Sequence, residues 1–176
     1  MPYAAFLRGI GPANPAMRNE NLRRVAEELG HRNVQTVIAS GNLLFESDRD
    51  DPAALEAEME AAWPEKLGFK STTIVRSREQ IERLVAADPY EGRAHGRTSY
   101  LLVTFFKHPP ETELELPMEP LGEAFRVVAM VDDTLFSVTD TTVTGTLDVM
   151  GWLERQFGKE ISSRTWKTLE RILAKM

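Results

Sequence analysis

The chain has 176 residues, enough for one domain or two closely packed halves, and long enough to fold without a covalent staple. It contains no cysteine, which excludes disulfides, iron–sulfur clusters and thiolate zinc sites and suits a reducing cytoplasm. With 27 acidic against 21 basic residues the formal charge is −6, which disfavours non-specific binding along a nucleic-acid backbone.

The opening stretch from Met1 to Arg8 lacks the basic region of a signal peptide, and Tyr3 to Leu7 reads as a first strand. No later run approaches the roughly 18 apolar residues of a membrane span. A polar, proline-broken loop, Gly9 to Arg18, leads to a helix capped by Asn19. In that helix Leu22, Val25, Ala26 and Leu29 recur on one face, and Gly30 ends it. Val34 to Ala39 and Leu43 to Glu46 form a hairpin around Ser40-Gly41-Asn42. Asp51-Pro52 starts a second helix, with Leu55, Met59, Ala62 and Trp63 on its apolar face and Pro64 disrupting it. Thr72 to Val75 is a fourth strand. The order βαββαβ predicts a split-βαβ, ferredoxin-like unit over residues 1–76.

The second half, residues 77–176, opens with a capping box, Ser77-Arg78-Glu79-Gln80, and a helix through Ile81, Leu84 and Val85. Asp88 to Thr98 is a polar loop. Tyr100 to Phe106 is apolar on both faces and is expected to be a central strand. The segment from His108 to Pro120 has four prolines and room only for a short helix. Phe125 to Val131 and Leu135 to Thr139 alternate around Asp132-Asp133, a second hairpin, and helices are expected over Thr146 to Phe157 and Ser163 to Lys175. This half reads as βαββα with an extra helix, an incomplete echo of the first without a residue-level repeat.

Three segments carry a family resemblance: Tyr3-Ala4-Ala5-Phe6-Leu7-Arg8-Gly9-Ile10, the stretch Asn33 to Phe45, and Ser162-Ser163-Arg164-Thr165-Trp166-Lys167-Thr168. Together the chain resembles the bacterial domain-of-unknown-function family 1697. That resemblance implies an α+β fold of two tandem ferredoxin-like units and implies no activity. The family usually follows the first strand with an asparagine, paired glycines and a lysine, where this chain has Gly11-Pro12-Ala13-Asn14-Pro15. Its serine–lysine pair before the penultimate helix is Gly145-Thr146 here. Both departures weaken a phosphate-cradle reading.

Few polar clusters can form a site. Gly9-Ile10-Gly11 misses the third glycine of a dinucleotide fingerprint, and Pro12 removes a donor, so the loop is read as structural. Arg8, beside Gly9 at the end of the first strand, has the geometry to grip a carboxylate or phosphate. Turn chemistry accounts for Ser40-Gly41-Asn42, which is expected at the opposite end from Arg8 on the premise that the first and third strands run parallel. Ser163-Arg164-Thr165, at the expected start of the last helix, is the strongest anion candidate. Arg93, His95 and Arg97 give the Asp88–Thr98 loop a positive tip. The C-terminal stretch from Phe157 has five basic residues against two acids and reads as a solvated helix face. His31, His95 and His108 are too scattered for a metal site, and no cofactor motif stands out. The expectation is a cytoplasmic binding module for a small anionic ligand, a nucleotide or phosphorylated molecule, held by Arg8, Gly9, Ser163, Arg164 or Thr165. An enzyme with acid–base groups on the two loops, or a protein-interaction domain, are the alternatives.

Overall fold

A computed structural model describes residues 1–143 and 145–176. The protein is α+β and divides into two compact units, Met1–Glu82 with Arg171–Met176, and Arg83–Glu170.

In the first unit, β1 (Pro2–Leu7), α1 (Asn19–Glu28), β2 (Arg32–Thr36), β3 (Asn42–Glu46), α2 (Pro52–Leu67) and β4 (Thr73–Ser77) follow the expected order. The four strands form one antiparallel sheet in the order β2-β3-β1-β4. Tyr3, Ala5, Leu7, Phe45 and Val75 project from one face onto Leu22, Val25, Leu55, Met59 and Trp63 of the two helices. Burying a side chain of this size contributes about 1.5–3 kcal/mol. Ala4, Phe6, Leu44 and Ile74 are buried as well, so neither face of this sheet is free.

Local details differ from the sequence expectation. Asn19 is the first residue of α1 and not its cap; Arg18 holds the cap position without a side-chain bond, and Asn19 Nδ2 reaches the Ile38 carbonyl (3.4 Å). Pro64 does not stop α2. The helix runs to Leu67 and ends at Gly68 in the left-handed region, because a proline so near the C-terminus removes only one helical bond. The β1–β3 pairing is antiparallel, Phe6 lying opposite Asn42. The premise of parallel strands is therefore corrected: the β2–β3 hairpin reverses the chain, so β3 opposes β1 and begins where β1 ends.

β4 is an edge strand, and its outward amides are covered by α2. Glu60 Oε1 accepts from the Thr73 N–H (2.9 Å) and Glu56 Oε1 from the Val75 N–H (2.8 Å). One helical turn matches two strand residues closely enough for both carboxylates to bond the same edge. Glu56 also lies 3.7 Å from the buried Arg76 guanidinium, and Trp63 Nε1 donates to Thr73 Oγ1 (3.0 Å).

The second unit contains β5 (Ser99–Phe106), β6 (Phe125–Val131), β7 (Thr134–Asp140), α4 (Val149–Phe157) and β8 (Ile161–Thr165). Two further helices are α3 (Arg78–Ala86) and α5 (Trp166–Lys175). The sheet order is β6-β7-β5-β8, all antiparallel, with β5 inside the sheet as its apolar character requires. Leu102, Phe106, Phe125, Leu135 and Ile161 pack on Leu153 of α4. Asp132 and Asp133 both take positive φ (44° and 53°), as the two-residue hairpin demands. The proline-rich connection after β5 holds no helix among the described residues and instead makes a bridge between Met118 and Val127. α4 begins at Val149, capped by Asp148, not at Thr146.

One expected element is replaced. Ser163, Arg164 and Thr165 are strand residues of β8, and α5 starts only at Trp166. With β8 counted, the sheets have the same order from their first strands. The correspondence extends to single bonds. The Arg8 N–H donates to the Thr72 carbonyl (2.9 Å) and the Lys107 N–H to the Glu160 carbonyl (3.0 Å). Arg76 lies opposite Ala4 and donates to the Val75 carbonyl (2.9 Å); Arg164 lies opposite Val103 and donates to the Ser163 carbonyl (2.7 Å). Ser77 Oγ caps α3 at Gln80 N–H (3.2 Å), and Thr165 Oγ1 caps α5 at Thr168 N–H (3.2 Å).

Replacing Glu56 by alanine removes the Val75 acceptor and leaves Arg76 without that carboxylate. The expected loss in urea unfolding is about 2–4 kcal/mol, with Glu56→Gln losing less because its amide oxygen still accepts. An unchanged midpoint for Glu56→Ala would show that α2 does not secure the edge.

Candidate functional site

The site residues expected from sequence fall in both units. In the first, Arg8 follows β1, half-buried, its carbonyl accepting the Ser71 hydroxyl (2.7 Å). Gly9 is exposed with φ 71°. Because β1 and β3 are antiparallel, Ser40-Gly41-Asn42 lies at this same end: the Leu7 N–H donates to the Gly41 carbonyl (2.9 Å). Gly41 has φ 77°, and a Cβ there would fall 2.7 Å from Ile10 Cγ1, so both backbone and space require glycine. Asn42 Nδ2 ties the turn by donating to the Val37 carbonyl (2.9 Å) and Ser40 Oγ (3.0 Å).

In the second unit Arg164 lies along β8 and does not open a helix. Its Nη1 donates to Ser162 Oγ (3.0 Å) and the Ser163 carbonyl (2.7 Å), and burial lowers its pKa to about 10. Ser163 Oγ pairs with Thr104 Oγ1 (2.8 Å) across the rung that joins β5 and β8. Thr165 spends its hydroxyl on Thr168, through both the cap and a side-chain contact of 2.9 Å. These residues fix where α5 starts.

The first turn of α5 forms one wall of a cleft of about 540 Å³, lined there by Trp166, Lys167 and Glu170. The other wall comes from Val85 and from the 88–98 loop through Asp88, Arg93 and His95. The positive loop thus meets Trp166 and the residues that follow it, while Ser163, Arg164 and Thr165 are not among the residues that line the cleft.

The loop is held by a residue that the polar reading of Asp88–Thr98 passed over. Tyr90 is buried, donates its hydroxyl to the Leu102 carbonyl (2.5 Å), and packs edge-on against Trp166 (5.2 Å) and Phe136 (5.7 Å). Burial drives its pKa upward, so the phenol stays protonated in the fold. Asp88 and Glu91 adopt positive φ (44° and 52°), and Asp88 Oδ1 accepts from the Gly92 N–H (3.0 Å), closing a tight turn before Arg93. His95 Nδ1 accepts from the Leu101 N–H (3.1 Å), which leaves Nε2 as the donor of the neutral ring; the imidazole lies 4.9 Å from the Tyr100 ring.

Among the described residues, neither Arg93 nor Lys167 has a carboxylate within ion-pair distance, and both are exposed. Several other surface cations are paired, as in Arg32–Asp48 (2.7 Å), Arg49–Glu58 (3.0 Å) and Arg126–Glu119 (2.7 Å), while exposed cations such as Arg18, Arg23 and Arg97 make no ion pair among the described residues. What sets Arg93 and Lys167 apart is that both line one cleft. Among the described residues no group of three or more His, Asp or Glu side chains has the arrangement to hold a metal ion. No helix there is long and apolar enough to cross a membrane.

A chain with two four-stranded antiparallel sheets and a polar cleft beside its last helix is an α+β protein. The family model described as protein of unknown function (DUF1697) matches residues 1–136, and the chain belongs to that family. A solved structure, the conserved bacterial protein SP0830 from Streptococcus pneumoniae, is similar over 98% of this chain and 97% of its own, with a TM-score of 0.67 and 20% identity. At that identity the likeness shows the fold. No protein among the curated ones matches the chain.

Tyr90→Phe keeps the packing but leaves the Leu102 carbonyl without this donor. A loss of about 1–3 kcal/mol is expected at neutral pH. Because the folded-state pKa of Tyr90 is raised, its stabilisation holds below pH ~10 and is lost as pH rises further, so the variant should show a shallower alkaline decline in urea titrations. Identical alkaline curves would separate Tyr90 from that decline.

Proposed function

We propose that this protein is a cytoplasmic binding module for a small anionic ligand, a nucleotide or another phosphorylated molecule, and that the second-unit cleft receives it. The observation that carries the reading is the placement of Arg93 and Lys167. An acidic chain leaves two cations without carboxylate partners on facing walls of one concavity. Cations that neutralise an incoming anion form charge-assisted hydrogen bonds, the stronger class of polar contact. His95 Nε2 adds a neutral donor, and Trp166 gives an apolar wall.

In this reading Ser163, Arg164 and Thr165 are positioning residues. They set β8 and the start of α5, and so the placement of Lys167. Arg8 and Gly9 lie in the first unit, at the end of β1 that meets the β2–β3 turn. We further read the two units as tandem ferredoxin-like halves, the second having exchanged its first helix for the proline-rich connection. The shared sheet order and matching bonds support that reading. The lack of cysteine supports the cytoplasm.

Native mass spectrometry of freshly purified protein should reveal a retained phosphorylated compound. In calorimetric titrations with methyl phosphate, Arg93→Ala and Lys167→Ala should each weaken binding on the order of tenfold. Both positions are exposed, so unfolding should change by no more than about 0.5 kcal/mol. Methyl phosphate binding unaffected by both substitutions would overturn this assignment.

A further inference from the structure

The anion reading uses only the positive side of the cleft. Its lining also contains Glu170 and Asp88. Asp88 is partly accounted for, since Oδ1 closes the turn at Gly92. Glu170 is not. It is exposed, it sits three residues after Lys167 on the same helix, and among the described residues it pairs with neither Lys167 nor any other cation. Side chains three or four residues apart are neighbours on a helix, and this chain forms such pairs at i, i+4 in Arg78–Glu82 (2.7 Å) and Arg24–Glu28 (2.8 Å). The cleft therefore presents unneutralised groups of both signs.

That composition discriminates among anions. A bare phosphate entering between Arg93 and Lys167 also meets the carboxylates of Glu170 and Asp88, and part of its attraction is offset by repulsion. A ligand with an ammonium or amino donor a short distance from its anionic group turns the Glu170 repulsion into a second contact. Trp166, largely buried, also lines the cleft and gives it an apolar edge beside a connecting carbon segment.

We infer that the cleft takes a ligand of both signs, its anionic group against Arg93 and Lys167 and its amino or ammonium group against Glu170. The inference rests on the anion assignment above and adds the class of molecule.

The test compares methyl phosphate with phosphoethanolamine, which differs chiefly by its ammonium group, on the full chain and on Glu170→Gln. The wild-type protein should bind phosphoethanolamine about tenfold more tightly. Glu170→Gln should bring the two affinities within about twofold of each other while methyl phosphate binds as well as before or better. A thermal melt confirms that the exposed substitution leaves the fold intact. Equal wild-type affinities would overturn the two-sign inference and leave the anion assignment standing. A preference that survives in Glu170→Gln would overturn the role given to Glu170. Binding of neither compound would remove the anion assignment, and this inference with it.

Discussion

The pairing of β8 with β5 is the constraint on which the candidate site depends. Five residues from Ile161 to Thr165 lie opposite Phe106 to Leu102. That register delivers Thr165 to the point where its hydroxyl caps α5, and it turns Trp166 toward Tyr90 and Phe136. The aromatic contact holds the 88–98 loop against the first turn of the helix, and the cleft is the space left between them. Had the helix begun at Ser163, Lys167 and Glu170 would lie a full turn further along it, and the cations would not face one another.

The same logic explains why two kinds of arginine occur in one chain. Arg76 and Arg164 sit on edge strands, where a guanidinium satisfies nearby carbonyls and hydroxyls and costs desolvation. Arg93 sits on a loop pinned by a buried tyrosine and spends none of its side-chain hydrogen bonds on the described chain. Rigid support with an uncommitted charge at its tip is the arrangement expected of a binding loop. Glu56 and Glu60 show the opposite use of charge, since both carboxylates are consumed by the edge of β4.

Much of this was legible in the sequence, and the exceptions have physical causes. Apolar spacing marked α1, α2, β5 and the Asp132–Asp133 hairpin, and the Ser77–Gln80 box forms both of its reciprocal bonds (2.8 and 3.2 Å). β8 was hidden because its sequence, Ile-Ser-Ser-Arg-Thr, has one apolar residue; its hydroxyls pair with Thr104 and Thr168, so no period of two appears in hydrophobicity. Ser163 also imitates a cap. The neighbourhood of Arg8 and Gly41 was misplaced by the direction given to β3, an error that counting chain reversals removes. The repeat between the units is invisible in residues because it lies in hydrogen-bond register, which backbone groups of any sequence can make. Arg93 and His95 were visible as a positive tip and Lys167 as one of the basic residues of the C-terminal stretch, but their meeting in one cleft was not, since it depends on contacts such as Tyr90–Trp166 between segments far apart in the chain.

Backbone carbon chemical shifts of Ser163, Arg164 and Thr165 test the structural basis of the site most directly. The β8 pairing predicts strand-like values through Thr165, with cross-strand proton contacts between Arg164 and Val103, and helical values only from Trp166 onward. Helical shifts beginning at Ser163 would contradict it, and the cleft between Arg93 and Lys167 would have no basis.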